Sequence, residues 1–248
     1  MKQALVITSF GTSVPEARGS IEAVETVLRE AAAGYTAVRA FTSSIIRRIL
    51  ASRGENVPSL TETLGQLWND GVRNVVVQPT HLLYGYEYDK LKAEAESFAG
   101  RFEKLTVGKP LLAGQQDLLQ FTEKIAQAHP QQDGKAVVYM GHGSGHFANA
   151  VYPALQTALQ FAGRSDILIG TVEGWPRLED ILRQLKTPCK VQLLPLMLVA
   201  GDHARNDMAG EWKERLEEAG HSVQCSFTGL GELVWVQDMY RSRLLEIL

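Results

Sequence analysis

The chain lacks most of the features that give a quick functional answer. It has only two cysteines in 248 residues, Cys189 and Cys225. With neither CxxC spacing nor the density of a disulfide framework, they predict a reducing, cytoplasmic setting and argue against a cysteine-ligated metal. No apolar run approaches the roughly 20 residues that a bilayer-crossing helix needs, so no membrane partner is expected. The opening MKQALVITSFGTS turns polar and glycine-containing too early for a signal peptide and reads as a first strand. A basic excess is missing as well. The formal net charge is −3, which argues against a nucleic-acid partner held by phosphate attraction. Any anionic ligand must be met by local positive charge. Histidine is scarce too, with six in all, so two of them in the single turn 139-YMGHGSGHF-147 call for a reason.

What remains is the composition of an ordinary enzyme, 45% hydrophobic and 21% charged. Short β-rich apolar runs alternate with longer amphipathic ones, which predicts an α/β protein with mainly parallel sheets. Strands are expected near 3–10, 36–41, 73–79, 104–109, 136–141, 166–172, 190–196 and 222–227. They are apolar over consecutive residues, as when helices cover both sheet faces. Between them, Ile21, Val24, Val27 and Leu28, or Leu60, Leu64, Leu67 and Trp68, recur at helical spacing.

A faint internal repeat runs through this list. The first strand enters 9-SFGTS-13 and the fifth enters 140-MGHGSG-145. Aligning Pro79 with Pro195 also aligns Gly85 with Gly201 and Glu87 with His203. Two similar lobes facing each other across a cleft are therefore expected, residues 1–125 and 126–248, with a crossover helix and linker in 115–135. The tail 233-LVWVQDMYRSRLLEIL-248 can pack on its own lobe, back on the N-terminal lobe, or on a neighbouring copy in a homo-oligomer.

In parallel α/β sheets, functional atoms gather at the carboxyl ends of strands. Four candidates fall at such ends: His142 after the fifth strand, Glu173 in 170-GTVEGWP-176 after the sixth, and Asp202 with His203 after the seventh. Singly, Glu173 reads as a helix cap or a partner of Arg177, and His203 as a solvated loop residue. Together, two imidazoles and a carboxylate form a ligand set for a borderline divalent metal. The glycine-rich turn also invites a phosphate reading. However, GHGSGH is not GxGxxG and no Walker A sequence occurs, so no nucleotide cofactor is expected. A GxSxG elbow is missing, which weakens Ser-His-Asp hydrolysis. His146 reads as a solvent-facing residue at a helix N-terminus. His81 reads equally as a cleft residue or a partly buried histidine with a backbone partner. His129 and His221 receive no role.

The segments MKQALVITSFGTS, AFTSSIIRRIL at 40–50, QPTHLLYGYEYDKL at 78–91, MGHGSGH at 140–146, TVEGWP at 171–176, LPLMLVAGDHARNDMAG at 194–210 and TGLGE at 228–232 resemble, end to end, the sirohydrochlorin cobaltochelatases of the anaerobic pathway. That family is similar in fold to ferrochelatase, which implies two Rossmann-like lobes and no ATP requirement. The resemblance implies that His142, Glu173 and His203 hold the metal, and that Co²⁺ is inserted into sirohydrochlorin for cobalamin synthesis. Iron insertion for sirohaem and non-catalytic tetrapyrrole or metal carriage are the alternatives. The substrate's carboxylates imply a rim of basic groups, for which Arg47, Arg48, Lys90 and Arg205 are candidates, with Thr12 and Ser13 as hydrogen-bond donors and His81 beside them. Some relatives are exported and some associate with haem; this chain shows no export signal, and haem binding is not legible in it.

Overall fold

The computed structural model describes residues 2–185 and 188–248. In chain order its regular elements are β1 (Gln3–Ser9), α1 (Arg18–Ala31), β2 (Thr36–Phe41), α2 (Ser44–Ser52), α3 (Leu60–Asn69), β3 (Asn74–Pro79), α4 (Tyr86–Glu96) and β4 (Lys104–Val107). There follow α5 (Gln115–Ala128), β5 (Lys135–Gly141), α6 (Val151–Phe161), β6 (Ile167–Thr171), α7 (Leu178–Gln184) and β7 (Lys190–Pro195). A π-helix (Ala204–Trp212), α8 (Lys213–Glu218), β8 (Ser222–Cys225) and α9 (Val234–Leu245) complete it, with short 3₁₀ turns between. The α/β class and the strands expected from the sequence are present, in two four-stranded parallel sheets whose orders are β2-β1-β3-β4 and β6-β5-β7-β8.

The chain divides into two compact units. One runs through Leu111 and resumes at Gly231–Leu248; the other is Leu112–Leu230. The sequence had suggested a division at 125/126. Here α5 packs on α6 of the second unit, while α9 packs on α1 of the first. The tail is held there by Tyr240 Oη, which donates to the Thr80 carbonyl at 2.7 Å, and by Ser20 Oγ, which donates to Glu232 at 2.9 Å.

The elements form where local physics favours them. In α1, Ile21, Val24 and Leu28 are buried and line one helical face. At the start of α3, the Ser59 side chain and Glu62 satisfy each other's backbone N–H groups in a capping box. The central strands are buried along their length, as helices on both faces require. One core joins Val6, Val75, Val77, Leu60, Leu64 and Leu91; the other joins Val138, Met140, Leu168, Leu193, Met208 and Trp212. Each fully buried side chain of this size contributes about 1.5–3 kcal/mol. The carboxylate of Glu25 is fully buried but takes Arg39 in a two-pronged contact at 2.6 and 2.7 Å.

The internal repeat is visible in hydrogen bonds that extend past the strands. Thr80 N–H donates to Thr8 at 2.8 Å, as Leu196 N–H does to Met140 at 2.7 Å. Thr42 N–H donates to Ser9, as Val172 N–H does to Gly141, and Ser43 N–H donates to Phe10, as Glu173 N–H does to His142. Phe10 and Ser43 thus occupy in the first unit the backbone positions of His142 and Glu173 in the second. One scaffold is built twice, and only the second copy carries this pair of chemical groups.

Candidate metal centre

The centre is assembled at the carboxyl edge of the β6-β5-β7 sheet. β5 and β6 pair through Gly141 and Thr171, and two further bonds, Val172 N–H to Gly141 (3.1 Å) and Glu173 N–H to His142 (2.8 Å), continue the ladder beyond the strands. They fix the backbone of Glu173 beside that of His142. A turn then closes behind Glu173: Thr171 presents both its N–H and its hydroxyl to the Pro176 carbonyl, at 2.6 and 2.8 Å. Asn149 ties the two loops together, accepting from Ser144 N–H at 3.1 Å and donating to the Trp175 carbonyl at 2.7 Å.

The third side chain arrives on a different element. β7 ends at Pro195, and His203 caps the π-helix that follows. Ala204 and Met208, four residues apart and ahead of a kink at Gly210, are buried in the core, which clamps this turn and leaves the adjoining face, with His203 and Asp207, partly exposed. Wide π turns recur at functional sites.

The result is a cluster. His142, Glu173 and His203 each offer one ligand atom, and these atoms lie within 4.8 Å of one another. The two imidazole rings meet edge to face with centroids 4.6 Å apart. Asp202, raised by the sequence as a fourth candidate, is not in the cluster. Both histidines have one nitrogen committed: Nδ1 of His142 lies 2.7 Å from the Gly143 carbonyl, and Nδ1 of His203 lies 2.7 Å from Oδ2 of Asp207. A carbonyl only accepts, so Nδ1 of His142 carries the proton and its Nε2 keeps the lone pair. Glu173 Oε2 stands 3.9 Å from Nδ1 of His142. The three side chains are 45, 58 and 39% exposed, so an ion held here can be reached by a second ligand.

The other sequence candidates fall elsewhere. Arg177 bonds the Gly174 carbonyl rather than Glu173, and Arg177, not Glu173, caps α7. His146 caps a 3₁₀ turn, with its Nδ1 accepting from Ala148 N–H at 3.0 Å. His129 bonds the Tyr139 hydroxyl at 2.8 Å and His221 sits against Cys189 at 3.4 Å. In the first unit, Thr12 is buried and its hydroxyl accepts from Val14 N–H, while the Ser13 carbonyl takes Arg53. His81 and Lys90 converge on Thr42. Nε2 of His81 lies 3.5 Å from the Thr42 hydroxyl and Lys90 Nζ donates to the Thr42 carbonyl at 2.7 Å. Burial pushes the His81 imidazole down to about 4, and its buried Nδ1 has no partner among the described residues. Arg47 pairs with Glu62 at 3.3 Å. Arg48 and Arg205 are exposed.

Asp207 and Asn149 escaped the sequence reading. For Asp207 a signal existed: it stands four residues after His203, a spacing that makes helical neighbours. Asn149 gave none, because its partners lie across a loop–loop contact.

Comparison with known proteins gives a consistent set of likenesses. The model of the cobalt chelatase (CbiK) family matches residues 3–248. The sirohydrochlorin cobaltochelatase of Salmonella typhimurium is 36% identical over 260 residues, covering 100% of this chain and 97% of that protein. The sirohydrochlorin cobaltochelatase CbiKC of Nitratidesulfovibrio vulgaris is 34% identical over 229 residues, covering 88% and 81%. Among solved structures, SirB from Bacillus subtilis with Fe³⁺ has a TM-score of 0.68 at 16% identity, covering 99% of this chain and 95% of that one. At that identity the likeness concerns the fold.

Proposed function

The chain belongs to the cobalt chelatase (CbiK) family, and from that premise we propose that it inserts Co²⁺ into sirohydrochlorin without ATP, giving cobalt-sirohydrochlorin in the anaerobic route to cobalamin. The observation that carries the reading to a site is the convergence of two imidazoles and one carboxylate within 4.8 Å at consecutive strand ends. Nitrogen and carboxylate donors suit Co²⁺ and other borderline ions, and release them more readily than thiolates do.

Sirohydrochlorin gives up two pyrrole protons as one dication enters, so charge balances only if the protons are carried away. His142, Glu173 and His203 hold the Co²⁺ from one side while it loses water. Nδ1 of His142 is committed to the Gly143 carbonyl, so Nε2 is the only basic nitrogen this residue has. It serves in sequence, first as ligand and then, once the ion has moved into the ring, as acceptor of a pyrrole proton. Glu173, adjacent and exposed, compensates the resulting imidazolium and passes the proton to water, which frees His142 Nε2 to take the second pyrrole proton by the same relay.

For the substrate's carboxylates, Arg205 is the candidate in the unit that carries the metal centre, and Lys90, with Thr12, Ser13 and His81 as polar candidates, is a separate one in the other unit. Among the described residues the Lys90 ammonium donates to one neutral carbonyl, from which a carboxylate can draw it, since charge-assisted hydrogen bonds are the stronger kind. Charge reversal, Lys90→Glu or Arg205→Glu, is expected to raise the KM for sirohydrochlorin more than it lowers kcat, as steady-state kinetics would read. An unchanged KM in both variants would remove them from the binding set.

No described helix is long and apolar enough to cross a membrane, and the two isolated thiols fit a cytoplasmic reaction. The deciding experiment is anaerobic absorbance of sirohydrochlorin with purified protein and Co²⁺ or Fe²⁺ in parallel. Multiple turnovers with Co²⁺ are expected. A binding spectrum without turnover would make the protein a carrier, and a faster Fe²⁺ rate would move it to sirohaem synthesis.

A further inference from the structure

We infer that Asp207 is a positioning residue of the metal centre, fixing the tautomer and orientation of His203 so that Nε2 faces the ion. The inference rests on the reading of His203 as a metal ligand. Its basis is the 2.7 Å contact between Nδ1 of His203 and Oδ2 of Asp207. A free imidazole carries its proton on either nitrogen. A carboxylate at hydrogen-bond distance from Nδ1 makes that nitrogen the donor, and Nε2 is left with the lone pair that a metal requires.

The surrounding structure makes this contact more than an exposed ion pair between neighbouring helical turns. Such a pair contributes little to stability. Here the backbone that carries both residues is pinned by Ala204 and Met208, each the next residue along from one of the pair and buried in the core on the adjoining face. The partners are thus held in register by the core rather than by their own attraction. The second imidazole reaches the same state by another route, its Nδ1 facing the Gly143 carbonyl. Both histidines of the cluster therefore have Nδ1 occupied, although their partners come from unrelated elements. Two independent devices with one outcome point to a requirement of the site.

The roles of the two partners differ in one testable respect. The Gly143 carbonyl belongs to the backbone and no side-chain replacement removes it, whereas Asp207 can be replaced without touching a ligand. Its side chain is one-third exposed, so Asp207→Ala leaves no buried cavity. Asp207→Asn keeps an oxygen that can accept from Nδ1–H and serves as the conservative variant.

The test reads the metal-free protein first. In ¹⁵N-histidine-labelled protein, long-range proton–nitrogen spectra of the imidazoles should report His203 as the Nδ1–H tautomer in wild type and Asp207→Asn, and as a mixture in Asp207→Ala. Anaerobic titration with Co²⁺ alone, followed by visible absorbance, should show affinity weakened about 10–100-fold in Asp207→Ala and far less in Asp207→Asn. The KM for Co²⁺ should rise with it, while the KM for sirohydrochlorin stays put. A wild-type tautomer and wild-type Co²⁺ affinity in Asp207→Ala would overturn the inference and leave the chelatase reading intact. A loss in Asp207→Asn equal to that in Asp207→Ala would also overturn it, because the N–H acceptor would then not be what matters. Wild-type protein that binds Co²⁺ but transfers none to sirohydrochlorin would sink the chelatase reading while the tautomer shift still supports Asp207.

Discussion

Replacing His142 by alanine is expected to abolish Co²⁺ insertion. Two functions are lost at once. Removing a positioned proton acceptor alone costs a reaction of this kind about 10²–10⁴-fold. Removing a donor also leaves Co²⁺ with only Glu173 and His203 from the cluster. The fold should not suffer, because the imidazole is 45% exposed and its hydrogen bond goes to the adjacent residue's carbonyl. The comparison is made anaerobically, in a single turnover with the enzyme in excess, so that weak Co²⁺ binding can be offset by raising the metal concentration. If saturating Co²⁺ restores the rate, His142 is a ligand only and the pyrrole proton leaves by another route. Near wild-type turnover at ordinary Co²⁺ would remove His142 from the centre altogether.

Much of this centre could be read from the sequence, for a reason that concerns parallel sheets. Strand ends are marked by apolar runs that stop at glycine or proline, and all strands of a sheet present their carboxyl ends on one edge. His142, Glu173 and His203 could be drawn together without any knowledge of the contacts between them. The same logic could not exclude Asp202, which adjoins His203 in sequence but is not one of the clustered residues. Nor could it foresee the π-helix or its kink at Gly210, since an apolar spacing of four at Ala204, Met208 and Trp212 also fits an ordinary α-helix. The repeat was legible through Pro79 and Pro195, which the structure shows as the last residues of β3 and β7. The equivalence of Phe10 with His142 was harder to see, because the two share a hydrogen-bond register and no chemistry. The placement of α5 was not legible either: its apolar stripe announces a helix and says nothing about which neighbour it covers.

Gly143→Ala is expected to cost about 2–5 kcal/mol of stability, combining roughly 1–2 for a left-handed backbone with roughly 1–3 for overpacking, and to disable the centre as well. Gly143 has φ +77°, and a Cβ there would meet Gly174 N and lie 2.7 Å from Thr171 Cβ. Neither neighbour can retreat. Thr171 is locked in β6 and bonded to the Pro176 carbonyl, and the Gly174 loop is tied across by Asn149. The methyl group must therefore push apart the two loops that carry His142 and Glu173. Gly134→Ala separates the two contributions: Gly134 also has a positive φ, +70°, but a Cβ there meets nothing within 4 Å, so only the backbone part applies. Urea unfolding should place Gly143→Ala well below Gly134→Ala, and Co²⁺ titration should find the weakened metal site only in Gly143→Ala. Equal stabilities would mean that the loops part at little cost. Their contact would then not be what holds Glu173 at His142, and the two backbone bonds, from Val172 to Gly141 and from Glu173 to His142, would carry that task alone.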